Sequence, residues 1–172
     1  MTAPSITRTM LAGLAGGGAF NLLMLLTFRL IGFGWTGEGP LVTSPLQSAK
    51  LVAVWTKLEP LPLVVANPPP IIAGLLLFGV GQAFAYRSVA PAWPPRLIPR
   101  ATRFALMTFF MTFLFFEFFT PFNLFGEPLR LIALELVFWA VIAAGEAIVL
   151  VIALEGHRAR RRSDKGAEVT AA

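Results

Sequence analysis

Four long apolar stretches dominate the pattern of hydrophobic and polar positions along the chain. They cover about residues 9–33, 69–89, 101–122 and 129–155. Each is close to the ~20 helical residues that cross a hydrocarbon core of ~30 Å. The pattern therefore predicts an all-α integral membrane protein, a bundle of four transmembrane helices in which residues 1–156 form a single membrane domain.

The residues at the ends of these stretches fit helix termini. Arg8 precedes the first stretch, and Asn67 can cap the second, whose prolines are tolerated in a first turn. Gly156 follows the fourth stretch, where a glycine often ends a helix. The first stretch could also be a secretory signal, but it is longer than the apolar core of such a signal and no small-residue cleavage site follows it. We therefore expect an uncleaved helix.

The connection between the first two stretches, about residues 34–68, is long enough to contain structure of its own. In "SPLQSAKLVAVWTKLEP", Ser44 can cap a helix, Pro45 suits its first position and Pro60 stops it. This predicts a short helix over about residues 45–59. It is too short to span, and we expect it to lie at the outer membrane interface or over the mouth of the bundle. The alternative is an ordinary amphipathic loop helix.

Composition supports the membrane class, since 56% of the 172 residues are hydrophobic and only 13% are charged. The chain has 14 basic and 9 acidic residues, and ten of the basic ones fall on one side of a four-span topology. These ten are Arg8, Arg87, Arg96, Arg100, Arg103, Arg158, Arg160, Arg161, Arg162 and Lys165. The positive-inside rule then predicts cytoplasmic termini, and we expect a bacterial inner (plasma) membrane protein.

The same basic clusters favour anionic lipid headgroups over nucleic acid as the binding partner, because they flank apolar segments. The arginines predicted to contact headgroups are Arg87, Arg96, Arg100, Arg103, Arg158, Arg160, Arg161 and Arg162. Residues 157–172 form a basic cytoplasmic tail that we expect to be disordered.

Three charged residues fall in the outer third of the predicted bilayer: Arg29, Glu117 and Glu135. A lone charge facing lipid costs about 2.5 kcal/mol or more near the bilayer centre. Pairing relieves that cost, so we predict a buried cluster of these three residues, with Arg130 and Asn123 at its rim. Pro121 lacks an N–H, which should bend the third helix and free the Glu117 carbonyl.

Glu146 follows Glu135 by eleven residues, which returns it to nearly the same helix face about 16 Å further along. Asn21, Gln82 and Tyr86 are polar residues at matching depths. Together they suggest an ion or proton path, or a site for a small polar substrate. The alternative is a structural network that fixes helix register.

Small residues in two spans have the spacing of close helix contacts. Gly13 and Gly17 form a G-x-x-x-G pair, and Ala83 lies four residues after Gly79. Such pairs indicate packing within the bundle or, alternatively, a homo-oligomer contact. Ten of the sixteen phenylalanines lie between residues 104 and 125, which favours a lipid-facing surface over an apolar pocket for a lipid or quinone.

Several chemistries lack their residues. The chain has no cysteine and a single histidine, His157, which we expect to act as an interfacial anchor, so thiol chemistry and zinc sites of the Cys/His type are excluded. Phosphate-loop, serine-hydrolase, zinc-protease and paired-aspartate motifs are also missing. We therefore predict no catalytic set, no metal site and no cofactor.

These observations leave two principal functions. The favoured one is a non-enzymatic accessory or assembly subunit, in a homo-oligomer or a larger membrane complex. The alternative is a small proton- or cation-coupled transporter or channel that uses buried Glu117, Glu135 and Glu146. An enzyme acting on a lipid or quinone is the third reading, and the sequence shows no convincing catalytic set for it.

Overall fold

The computed structural model describes residues 5–170, with side chains described for residues 5–156. Every element in that part of the chain is helical. A long helix is followed by three short ones: α1 (Ile6–Gly32), α2 (Pro40–Thr43), α3 (Ala49–Thr56) and α4 (Leu63–Ala66). Three more long helices complete the chain: α5 (Pro69–Ala92), α6 (Leu97–Phe125) and α7 (Leu129–Thr170).

Four of these helices are long and apolar enough to cross a membrane, namely α1, α5, α6 and the Leu129–Gly156 part of α7. The predicted class, an all-helical protein with four such helices, is confirmed. The length of each helix follows from an uninterrupted apolar run, because main-chain groups in a hydrocarbon core must be paired within the helix itself.

Several helix ends differ from the sequence prediction; α6, for example, covers Leu97–Phe125 rather than about residues 101–122. α1 begins at Ile6, where the hydroxyl of Ser5 accepts the N–H of Arg8 at 3.2 Å. α7 continues through Gly156, so the prediction that this glycine caps the helix is wrong. A glycine commonly ends a helix by adopting a left-handed conformation, and Gly156 stays helical instead. The predicted tail, residues 157–172, lies outside the residues whose side chains are described.

α1 and α5 pack antiparallel with their backbones in contact. A Cβ added to Gly13 would lie 2.5 Å from Val80 Cα, and one added to Gly17 would lie 2.8 Å from the carbonyl oxygen of Leu75. Gly79 faces the same stretch of α1 from the other helix. The small residues identified in the sequence thus lie in an intramolecular contact: Gly13, Gly17, Gly79 and, in the adjoining core cluster, Ala83.

α7 contacts both α1 and α6 and runs antiparallel to each. Along α1, the Arg8 guanidinium reaches the carbonyl of Ala153 at one end, and Gly32 faces Phe138 at the other. Along α6, the Phe113 ring stacks on Trp139 with centroids 4.5 Å apart and planes 8° from parallel. The position of α7 therefore sets which faces of α1 and α6 are buried.

The phenylalanines of α6 fall into two groups, those buried between helices and those exposed on the surface of the helices. Phe104 and Phe113 are buried against neighbouring helices, as the stacking on α7 illustrates. Six others are exposed on the surface of the helices: Phe110, Phe115, Phe116, Phe118, Phe119 and Phe122. That these rings face lipid stays a prediction, since the structure shows only that they are exposed.

α6 is not a uniform α-helix. It is π-helical over Phe109–Leu114 and again over Phe118–Phe122, and the second segment contains Pro121. A proline removes one hydrogen bond of the helix, and a wider π-helical turn accommodates its ring. The helix distortion expected beside Glu117 is therefore a π-helical turn. α6 continues to Phe125, and Gly126 then adopts a left-handed conformation with φ of 67°. α1 also ends in a π-helical segment, Leu25–Gly32.

The connection between α1 and α5 folds back onto the helices. Leu41 of α2 is fully buried beside Phe138, which anchors the start of the connection. The predicted short helix begins later than expected, because Ser48 rather than Ser44 provides the cap and accepts the N–H of Leu51. We call the part formed by residues 29–68 and 122–130 the loop end, and the opposite part, with residues 5–9, 86–103 and 153–156, the basic end.

Candidate functional site

Two buried carboxyl groups face each other near the loop end. Glu117 of α6 is 1% exposed and Glu135 of α7 is 6% exposed. Their carboxyls lie within hydrogen-bonding reach of one another. The indole N–H of Trp139 donates to Glu117 Oε1, whereas Glu117 Oε2 has no hydrogen-bond partner among the described residues.

Helical spacing places these groups together. Phe113 and Glu117 lie four residues apart on α6, and Glu135 and Trp139 lie four residues apart on α7, so each pair occupies one helix face. The Phe113–Trp139 stack brings the two faces into contact one turn from the acids. An aromatic layer thus closes the site on the side away from the loop end.

Arg29 does not join these acids, contrary to the predicted cluster. Its guanidinium is exposed and donates to the carbonyls of Gly34, at 3.0 Å, and Trp35, at 2.8 Å, while lying over the Trp35 ring. The π-helical end of α1 turns this side chain toward the following loop, where main-chain oxygens satisfy it without the cost of burial. Among the described side chains, no lysine or arginine nitrogen lies within 4.0 Å of Glu117 or Glu135.

A third buried acid, Glu127, lies at the loop end, and the sequence analysis did not identify it. It sits between α6 and α7 and is 1% exposed. Oε1 accepts a hydrogen bond of 2.6 Å from Gln47, and Oε2 has no partner in the described part of the chain. Burial raises the pKa of Glu127, and the nearby Glu117 raises it further, while the bond from Gln47 opposes both effects.

The rim residues predicted beside the cluster point elsewhere. Arg130 and Asn123 are exposed on either side of the turn that carries Glu127. The signal that could have revealed Glu127 is its turn, "GEP", in which an acid follows a glycine that ends the helix. Such a glycine reverses the chain and can aim the next side chain back toward the helices.

Glu146 lies on the same buried face of α7 as Glu135, as the spacing predicted, and is 1% exposed. Its Oε1 has no hydrogen-bond partner among the described residues. Gly16 of α1 faces it, since a Cβ added there would lie 3.6 Å from Glu146 Cγ. The glycine leaves room for the carboxyl between two apolar helices.

The other residues of the predicted path do not meet Glu146. The amide of Asn21 donates to the carbonyl of Gly17, at 2.8 Å, within its own helix. Tyr86 donates instead to Glu155, at 2.5 Å. Gln82 is half-buried on α5, and no hydrogen bond to Glu146 is present in the described part of the chain. A continuous polar line therefore does not connect the two ends.

Glu155 organises the basic end and was not identified from the sequence. It accepts from Tyr86 of α5 and forms an ion pair with Arg100 of α6. Arg100 also donates to the carbonyls of Trp93 and Pro94. Three helices are thereby linked through one carboxylate.

The arginines predicted to contact headgroups fall into three groups. Arg96 and Arg103 are exposed. Arg87 donates to Thr9, and Arg100 uses its donors within the protein, so the headgroup role does not suit Arg100. The remaining four lie outside the residues whose side chains are described: Arg158, Arg160, Arg161 and Arg162.

The chemistry open to the site follows from its donors and acceptors. Among the described residues, no group of three His, Cys, Asp or Glu side chains could hold a metal ion. Carboxylates only accept hydrogen bonds, so a hydrogen bond between Glu117 and Glu135 forms only when one of them carries a proton. Comparisons of the chain with protein-family models, with curated proteins and with solved structures found no match.

Proposed function

We propose that this protein carries protons within a membrane, as a small proton carrier or proton-coupled transporter, with Glu117 and Glu135 as its central site. One observation carries the proposal: two buried carboxyls lie in hydrogen-bonding reach of each other, and no basic side chain of the described residues neutralises them. Ionisable groups at membrane depth are costly and commonly belong to ion or proton pathways.

The donors around the acids favour a proton over a metal cation. Trp139 and Gln47 each direct an N–H at a carboxyl oxygen, of Glu117 and Glu127 respectively. An N–H donor repels a cation, and hard cations require several oxygen ligands. A proton needs only one free carboxyl oxygen, and Glu117 and Glu127 each have one among the described residues.

Glu146 extends the proposal toward the basic end. It lies about 16 Å along α7 from Glu135, and its Oε1 has no hydrogen-bond partner among the side chains that the structure describes. A proton crossing from one site to the other needs a transient water chain or a helix movement, for which the glycine opposite Glu146 leaves room. Glu146 is therefore the second proton-holding group of the proposal.

The proposed setting is a bacterial inner membrane, with four helices as a bundle, α3 at the outer interface and both termini in the cytoplasm. Basic residues support this orientation, because Arg96 and Arg103 are exposed at the basic end next to the internally bound Arg87 and Arg100. The exposed pair is where we expect anionic lipid headgroups to bind.

The accessory-subunit function that the sequence favoured needs only packing motifs, a fixed charge network and basic cytoplasmic edges. Arg29 donates to Gly34 and Trp35, so it does not take part in the predicted charge network. The glycines considered as an alternative oligomer contact lie between α1 and α5. The non-enzymatic subunit remains the function that a negative transport result would favour.

The test is proton flux into liposomes. The purified protein is reconstituted with a trapped pH dye, and a pH gradient is imposed under a clamped membrane potential. We expect wild type to dissipate the gradient, and Glu117→Gln, Glu135→Gln and Glu146→Gln to slow it at least about tenfold, since a lost proton carrier typically costs 10²–10⁴-fold in proton-transfer catalysis. Glu38→Gln, at an exposed acid, is the matched control and should behave as wild type.

Two results would contradict the proposal. Wild-type flux equal to that of protein-free liposomes would remove proton transport altogether. Equal flux in wild type and in all three buried-acid variants would leave transport but exclude these carboxyls as its carriers.

A further inference from the structure

Glu127 connects the loop end to the buried acid pair. Its main-chain N–H donates to the carbonyl of Pro121, at 3.1 Å, and the left-handed Gly126 before it reverses the chain. These two features fold the side chain inward rather than toward solvent. Glu127 interacts electrostatically with Glu135, and Glu117 interacts with Glu127, so the three carboxyls share one electrostatic environment.

A short segment of the long connection covers this acid. Gln47 donates to Glu127 and also to the carbonyl of Leu41, at 2.9 Å. Ser48 donates to the carbonyl of Phe125, at 2.5 Å, and Lys50 donates to the carbonyl of Leu124, at 2.6 Å. We call residues 47–50 the lid.

The lid is held by main-chain carbonyl groups, which normally lack a protein partner at the end of a helix. The last carbonyls of α6 have no partner within the helix, and two lid side chains bind them in place of water. These are hydrogen bonds between a loop and a turn, without the extensive apolar burial that fixes the long helices. Segments of this kind open at low free-energy cost compared with the core.

We propose that Glu127 is the group through which protons reach the Glu117–Glu135 pair, and that residues 47–50 form a lid that controls its access to water. This rests on the proposed function for its cargo. Glu127 Oε2 is buried, lies in a turn outside the helices and has no partner within the described residues, and this position separates Glu127 from the acids within the spans.

The proton step balances without another reactant. With the lid open, hydronium at the loop end transfers a proton to the Glu127 carboxylate: one O–H bond of hydronium breaks, one O–H bond forms on Glu127, and a water molecule is left. The bond on Glu127 then breaks as the proton passes to the Glu117–Glu135 pair, directly or through a water, and Glu127 returns to a carboxylate. Gln47 retains its N–H throughout and positions Oε1.

Thiol labelling tests the lid independently of transport. The chain has no cysteine, so Glu127→Cys and the exposed control Asn123→Cys each carry one thiol. We expect a membrane-impermeant maleimide to label Glu127→Cys at least about tenfold more slowly than the control. Adding Ser48→Ala and Lys50→Ala, which removes two lid contacts, should bring its labelling close to the control rate. Equal rates without the lid substitutions, or no acceleration with them, would overturn the lid.

Infrared titration tests whether Glu127 belongs to the same site. The carboxylic acid band that disappears in Glu127→Gln identifies it. We expect this band to titrate at lower pH in Glu117→Gln, because Glu117 raises the pKa of Glu127, and to be unchanged in Glu38→Gln. An unchanged titration in Glu117→Gln would separate Glu127 from the pair.

Flux then distinguishes this inference from the function on which it rests. Slow flux in Glu127→Gln, similar to that of Glu135→Gln, is the expected result. Normal flux in Glu127→Gln with slow flux in Glu135→Gln would overturn the access role and leave proton transport intact. Absence of wild-type flux would contradict proton transport. The labelling experiment would still test the lid, and the titration would still test the three-acid site.

Discussion

At Glu127, the balance between burial and hydrogen bonding determines how the fold responds to pH. Burial raises the pKa of this carboxyl above the ordinary value of about 4.3, and so does Glu117. The folded protein therefore holds a proton there more readily than the unfolded chain. The resulting contribution to stability is full below the unfolded pKa and is lost as pH rises through the folded pKa.

We predict that Glu127→Gln loses less stability than wild type as the pH rises from acidic to neutral. At neutral pH the variant should be more stable than wild type by on the order of 1 kcal/mol, because a neutral amide replaces a buried carboxylate. Thermal unfolding in detergent across a pH series measures the effect. Glu38→Gln is the control. The hydrogen bond from Thr36 lowers the pKa of Glu38, so the contribution of this acid to stability changes with pH in the opposite direction. Parallel pH profiles for wild type and Glu127→Gln would refute the prediction.

At the scale of whole helices, α1 and α5 approach each other closely enough for their main chains to touch. Main-chain atoms of one helix occupy the space that a side chain on the other would need, as at Gly17, where a Cβ would meet Leu75 and Leu76 at 2.8 Å. Backbone atoms cannot rotate away as the end of a flexible side chain can. A methyl group at this position must therefore push the two helices apart.

We predict that Gly17→Ala destabilises the protein by about 1–3 kcal/mol, the usual cost of overpacking. The neighbouring Gly18 is the matched control, because a Cβ there meets no atom within 4 Å. Gly18→Ala should be neutral or stabilising by up to about 1 kcal/mol from helix propensity. Unfolding in mixed detergent micelles compares the two, and equal stability of the variants would contradict the α1–α5 contact.

Across the whole molecule, the basic end is closed by side chains that link α5, α6 and α7 through Glu155. The Arg100–Glu155 pair is largely buried, with 13% exposure of each side chain. Removing one partner leaves the other charge without compensation in a partly dry setting. The effect should therefore exceed that of a surface ion pair, for which about 0–1 kcal/mol is typical.

We predict that Arg100→Leu lowers the free energy of unfolding by about 1–3 kcal/mol, between the surface and fully buried cases. Arg103→Leu, at an exposed arginine of the same helix, should change it by less than about 0.5 kcal/mol. A double-mutant cycle with Glu155→Gln isolates the coupling between the pair. Additive effects of the two substitutions would show that the pair is not coupled.

The four long helices were predictable because their signal is local, a run of apolar residues of membrane length. The shared face of Glu135 and Glu146 followed from helical periodicity for the same reason. The partner of Arg29 was not predictable from helical periodicity, because the direction of its guanidinium depends on the π-helical end of α1 and on the carbonyls of a later loop. Glu127 and Glu155 were missed because their burial depends on residues far away in sequence, Gln47 and Arg100.

Because α7 contacts both α1 and α6, the order of synthesis constrains when the acid site can exist. All the residues of the glycine contact between α1 and α5 precede α6 in the sequence. Glu117, however, has neither Trp139 nor Glu135 beside it until the final long helix has been made. A chain that ends before residue 129 lacks both of these neighbours of Glu117. The proposed proton site is consequently complete only after the final long helix has been made.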